Sequence, residues 1–121
     1  MENTESKLLR MCTSIAEEIS NGELDPEEYG TYHELDEEDR KDWKPSGHDY
    51  LECVYDIKYV VDGQGNYYGA ELLVAGGGPN IYVNTRDKEI QGYWGGDRAS
   101  VPFTDNIGLD DAVEEHWNCI R

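Results

Sequence analysis

The stretch Tyr55-Asp56-Ile57-Lys58-Tyr59-Val60-Val61-Asp62-Gly63-Gln64-Gly65-Asn66-Tyr67-Tyr68-Gly69-Ala70-Glu71-Leu72-Leu73-Val74 decides the fold. Tyr55, Ile57, Tyr59 and Val61 alternate with Asp56, Lys58 and Val60, the period of two that places one set of side chains on one face of a strand. Asp62-Gly63-Gln64-Gly65-Asn66 has the composition of a hairpin turn, and Tyr68, Ala70, Leu72 and Val74 then form the returning strand. Working toward the C-terminus, Gly76-Gly77-Gly78-Pro79 breaks the pattern and Ile81 and Val83 make a third strand. Thr85-Arg86-Asp87-Lys88 turns the chain, and Ile90, Gly92 and Trp94 make a fourth strand. The expected sheet is a four-stranded antiparallel meander over residues 50–103.

The period changes to helical on either side. Leu8, Cys12, Ile15 and Ile19 fall at spacings of four, three and four, flanked by Leu9 and Ala16, and Asn21-Gly22 is a good stop. Asp25-Pro26 can begin a second helix, with Glu28 completing a box-like pair and Leu24 and Tyr29 placed as a hydrophobic staple. Beyond Gly30 the signal weakens. Leu35 to Asp39 can restart a short helix reaching Trp43, which Pro45-Ser46-Gly47 would end. A last helix spans about 108–120, with Leu109, Val113, Trp117 and Ile120 as its stripe. The fold class is α+β, with N-terminal helices, the meander and a C-terminal helix in one domain over 1–121.

Charge narrows the function. Against 27 Asp and Glu the chain has 10 Lys and Arg, a net charge of −17. That excludes an ordinary electrostatic grip on nucleic acid, which needs a Lys/Arg footprint, and argues against docking on an anionic membrane. Residues 1–49 carry a net −10, residues 50–103 a net −3 and residues 104–121 a net −4, so the acid sits in the helical ends. No apolar run approaches the roughly 20 residues of a membrane span, and MENTESKLLR lacks the apolar core of a signal peptide. Three cysteines spaced 41 and 66 residues apart make no disulfide framework. A cytoplasmic location is therefore expected.

Several constellations could carry chemistry. His48 with Cys53, and His116 with Cys119, could supply two pairs of zinc ligands, yet the chain has no C-x-x-C. Cys12 and Cys119 fall on or beside apolar stripes, where a free thiol behaves as a small hydrophobe. No local signature accompanies Cys53 or Cys119 as a nucleophile. Neither catalytic residue, metal nor cofactor is expected. The Gly76-Gly77-Gly78-Pro79-Asn80 loop leads into a strand without a Lys, and reads as a tight connection rather than a phosphate cradle.

Two features suggest recognition instead. Adjacent Tyr93 and Trp94 must point to opposite faces of a strand, so one of them faces away from the core, next to Gly95-Gly96 and Arg98. The second feature is the run of acids. Glu17, Glu18, Glu27, Glu28, Glu34, Asp36, Glu37, Glu38, Asp39 and Asp42 precede the sheet, and Asp110, Asp111, Glu114 and Glu115 follow it. Duplex DNA presents one negative charge per roughly 1.7 Å, a density that carboxylates at helical spacing can approach. Such a surface would compete for a basic nucleic-acid channel, whereas most charge runs are simply solvated faces.

The segments Gly76-Gly77-Gly78-Pro79-Asn80-Ile81-Tyr82-Val83-Asn84-Thr85 and Gly92-Tyr93-Trp94-Gly95-Gly96-Asp97-Arg98-Ala99 resemble small acidic proteins of Firmicutes phages and other mobile elements. Those share a "GGPNIYVNT" strand and a "YWWGDRA"-like loop before an acidic C-terminal helix; here Gly95 replaces the second Trp. The resemblance covers roughly 50–121 and implies a setting more than a mechanism. In that setting, small acidic proteins often inhibit host defences that target nucleic acid, as anti-CRISPR or antirestriction proteins do. The expected function is thus a non-enzymatic inhibitor in the host bacterial cell. Its partner would be a basic nucleic-acid-binding protein, most directly a CRISPR-Cas nuclease such as Cas9. The acids would stand in for phosphates, with Tyr93, Trp94 and Arg98 as anchors. The rival expectation is a small-molecule or peptide-binding module lined by Tyr55, Tyr59, Tyr67, Tyr82 and Trp94.

Overall fold

A computed structural model describes residues 3–120. Its framework is one antiparallel sheet in the order β1 (Asp56–Val61), β2 (Tyr67–Ala75), β3 (Asn80–Asn84), β4 (Glu89–Trp94), β5 (Asp97–Pro102). The meander therefore has five strands where the alternation predicts four. Asp97-Arg98-Ala99 is not a flexible loop: Gly95, at φ +62°, turns the chain with Gly96, and Asp97 to Pro102 pairs with β4 along its whole length. Only Ala99 and Val101 mark the inner face of this strand, too small a pattern to register as alternation.

The register aligns Leu72, Val83, Ile90 and Val101 straight across four strands. Leu72, Val83 and Ile90, together with Ala70 and Ile81, are fully buried. Truncating any of the larger ones to Ala would cost about 2–5 kcal/mol. Two helices cover this face. The first, α1 (Thr4–Asn21), crosses β4 and β5, burying Leu8, Cys12, Ala16 and Ile19. It is capped by Asn3, whose Oδ1 accepts from the Ser6 amide, and stopped by Gly22 in the left-handed region. Gly92 is bare because a Cβ there would lie 2.7 Å from Cys12 Sγ and Leu8 Cδ1. The last helix, α5 (Leu109–Ile120), packs on β2 through Leu109, Ala112 and Val113. Its stripe ends early: Trp117 is half-buried and Ile120 is 56% exposed, so Ile120 does not belong to the core.

The connection between α1 and the sheet is more broken than periodicity suggests. Asp25 caps only a 3-10 turn, Pro26–Glu28, although Leu24 and Tyr29 are both buried as the staple requires. Two short helices follow, α2 (Gly30–Glu34) and α3 (Glu37–Arg40). Pro45-Ser46-Gly47 does not merely end a helix. Ser46 begins α4 (Gly47–Tyr50), its amide and hydroxyl both donating to Asp49 Oδ2. The Gly47 amide donates to the Ile107 carbonyl at 2.8 Å, clamping α4 against the start of α5.

A register shift at Val60/Val61, opposite Gly69, redirects the start of β2. Tyr68 is thrown outward onto Arg86, 4.3 Å from ring centre to guanidinium carbon, and Tyr67 turns inward. The Tyr67 hydroxyl donates to Asp110 at 2.7 Å and lies 3.2 Å from Thr85 Oγ1, which accepts from the Ala70 amide. Sheet and α5 are thus joined by a satisfied polar network. Among the described residues no helix covers the opposite face of the sheet, which carries Lys58, Glu71, Leu73, Tyr82, Gln91, Tyr93, Arg98 and Ser100. Pro102 withholds an N–H from the β5 edge, which discourages strand addition there.

Candidate functional site

The acids do not form an undifferentiated cloud. After Gly22 and the Pro26–Glu28 turn, the chain folds back against α1, bringing Glu28 and Asp25 beside Glu18. The Glu18 carboxyl is pushed up, first by its partial burial and then by those two neighbours. Beneath them Tyr29 and Tyr50 are buried, and the Tyr29 hydroxyl is hydrogen-bonded to the Cys53 thiol. Both hydroxyls are pushed beyond the ordinary tyrosine range, chiefly by burial. Burial also raises the Cys53 thiol; Tyr29 opposes that shift, and Glu28 and Glu52 add to it. A raised, neutral thiol is a poor nucleophile.

The crowding around Glu18 has a measurable consequence. Its folded-state pKa lies above the unfolded value, so the ionised carboxylate weakens the fold at neutral pH. The penalty disappears as pH falls below the ordinary glutamate value. Glu18→Gln is therefore expected to raise stability at pH 7, by less than about 1 kcal/mol after solvent screening, and with it the melting temperature. The gain should vanish near pH 3.5. Thermal melts of both chains at the two pH values check this.

The run from Glu34 to Asp42 is pinned from within. Arg40 turns its guanidinium back, donating to the Tyr32 carbonyl at 2.8 Å and the His33 carbonyl at 3.0 Å while stacking on Tyr32. Trp43 packs against the rings of Tyr29 and Tyr32. Of the two bases in this run Arg40 is thereby drawn inward, while Lys41 and the acids Glu34, Glu37, Glu38, Asp39 and Asp42 remain exposed. Asp36 has a structural use, accepting from the Asp39 amide as the α3 cap.

On α5, Asp111 and Glu114 are exposed, but Asp110 is engaged by Tyr67 and Glu115 lies 2.6 Å from His48 Nε2. Of the fourteen acids expected at an interface, Asp36, Asp110 and Glu115 are thus committed to internal contacts. The remaining eleven, Glu17 and Glu27 included, are exposed. Charge density alone cannot separate the two groups, although Asp at a helix start is a recognisable cap signal.

Tyr93 and Arg98 stand opposite one another on β4 and β5, both exposed, on the side of the sheet away from the helices. Trp94 points the other way, half-buried against the core. Two of the three expected anchors, Tyr93 and Arg98, are therefore on the side of the sheet away from the helices, and Trp94 is not. Nor do the other sheet aromatics line one face. Tyr59 contacts His116 and Trp117 under α5, Tyr67 is tied to Asp110, and Tyr82 is on the open side against Tyr93.

His48, Glu115, His116, Asn118 and Cys119 line a hollow of about 460 Å³ beside the end of α5, and Tyr59 bonds His116 Nδ1. Cys53 lies elsewhere, on Tyr29, so the two ligand pairs of the zinc reading do not meet. Among the described residues no group of three or more His, Cys, Asp or Glu is arranged to hold a metal ion. The glycine loop is a strand connection: it joins β2 to β3 through Gly77 and Gly78 at φ +85° and +104°, with the Gly77 amide donating to Asn80 Oδ1. Among the described residues no helix is long and apolar enough to cross a membrane. No protein-family model matches the chain, and neither a curated protein nor a solved structure matches it.

Proposed function

We propose that this chain is a non-enzymatic inhibitor carried by a mobile element, and that its helical layer occupies the basic nucleic-acid channel of a host defence nuclease. A CRISPR-Cas nuclease such as Cas9 is the most direct target. One observation carries the reading: eleven exposed carboxylates lie on the helical segments and the turns that join them, and in the densest run, Glu34 to Asp42, Lys41 is the exposed base while Arg40 is turned into the backbone. A surface that competes with phosphates needs such an excess of carboxylate over base. Trp94 is a packing residue in this reading, and Tyr93 and Arg98 are free for another contact.

Binding of the full chain to the purified guide-loaded nuclease, measured at about 50 and 300 mM salt, tests the proposal. Affinity should fall at least about tenfold over that range, as screening shortens the reach of the charges. The bound protein should also exclude target DNA. Absence of binding, or binding indifferent to salt, defeats it.

A further inference from the structure

We propose that the open face of the sheet carries a second binding site, in which Arg98 and Tyr93 receive the carboxylate side chain of an acidic peptide segment. This site rests on geometry independent of the nuclease reading and lies on the other side of the molecule. Four arginines fall among the described residues. Arg40 is bonded to two carbonyls, Arg86 stacks on Tyr68, and Arg10 has a partner. Among the described residues, only the Arg98 guanidinium has none, in a chain with 27 acids available to supply one.

The surroundings of Arg98 are shaped. Gln91, Tyr93, Arg98, Ala99 and Ser100 line a groove of about 270 Å³. Its floor is held in place by Glu89, whose Oε2 accepts from Gln91 Nε2 at 3.3 Å and from Ser100 Oγ at 3.0 Å. Glu89 is thus occupied by the floor instead of the guanidinium. The second N–H of the Gln91 amide remains to help a bound carboxylate. Tyr93 forms the wall, its ring braced edge-on by Tyr82 at 6.1 Å and 70°. A guanidinium fork beside a fixed aromatic wall fits a planar carboxylate on an aliphatic stem: two parallel N–H···O bonds to the head, and the ring against the methylenes.

Charge selects among anions. The chain repels a phosphate dianion about twice as strongly as a carboxylate, and a net −17 makes that difference count. The open form of the groove and its single cation favour an extended peptide over a small free acid. The flanking residues of such a peptide could lie over Tyr82 and Leu73, which are only half-buried.

The test is an NMR titration of the isotope-labelled full chain with a blocked pentapeptide alternating valine and glutamate. Its glutamine counterpart, sodium acetate and inorganic phosphate are the comparison probes. Saturable shifts are expected at the amides of Gln91, Tyr93, Arg98 and Ser100, with the glutamine peptide at least about tenfold weaker. Acetate should displace the peptide at lower concentration than phosphate does. Arg98→Gln should abolish binding, and Arg98→Lys should weaken it severalfold by losing the fork. Both variants should keep the wild-type melting temperature and leave nuclease binding unchanged. No shift at millimolar peptide, equal binding of the glutamine peptide, or stronger displacement by phosphate than by acetate each overturns the proposal.

Discussion

Gly47→Ala is expected to lower stability by about 2–4 kcal/mol, one of the largest effects available to a single methyl group in this protein. A Cβ at this position would lie 2.5 Å from the Gly108 oxygen, 2.7 Å from its carbonyl carbon and 2.9 Å from Leu109 Cα. All three are backbone atoms, so no side chain can swing aside. Either α4 lifts, breaking the Gly47 amide bond to Ile107, or the start of α5 moves, disturbing buried Leu109. Against a total of about 5–15 kcal/mol the loss is large, and a drop in melting temperature on the order of 10 °C should be seen. Gly30→Ala is the control. Nothing lies within 4 Å of its missing Cβ, and it begins α2, so it should be neutral or slightly stabilising. Equal losses for the two substitutions would refute the steric argument.

The second large effect concerns binding. Changing Glu27, Glu28, Glu34, Glu37 and Glu38 together to Gln should weaken nuclease binding by about 10²–10⁴-fold, at roughly 0.5–1 kcal/mol for each charge at a partly screened interface. The same change should leave the melting temperature level or raise it. None of the five side chains accepts a capping hydrogen bond, and removing their mutual repulsion favours the compact state. Asp36 is omitted because its loss would unfasten α3. Calorimetric titration and thermal melts on the same variant separate the two outcomes. Unchanged affinity with an intact fold would assign these acids to solvation alone.

The strongly periodic elements were legible before the structure. Leu8, Cys12 and Ile19 mark the buried side of α1, Gly22 ends it, and one of Tyr93 and Trp94 does turn away from the core. The fifth strand was not, because Ala99 and Val101 are small and alternate with Arg98 and Ser100 beside two glycines, a composition shared with loops. Helix α4 was hidden by Pro45 and Gly47, although Ser46-x-x-Asp49 is a capping box that could have announced it. At the site, the amount and sequence position of the acid were readable from composition. The use of each carboxylate was not: Asp110 looks like Asp111 in sequence, yet the fold commits only the former to Tyr67. The separation of Arg98 from the acids depends on which face α1 covers, and pairing register alone decides that.

The two flanking helices share one side of the sheet, and each covers a different part of it. Were α5 to lift away, the β2 part of the apolar face would lose its cover while every strand pairing stayed intact. In that state α1 would still cover β4 and β5, while Ala70 and Leu72 would be bared and the chain would offer an apolar patch. It is then most open to protease or to a chaperone that reads exposed apolar surface. What holds α5 down against such opening is the Tyr67 bond to Asp110 and the close seat of α4 on Gly108.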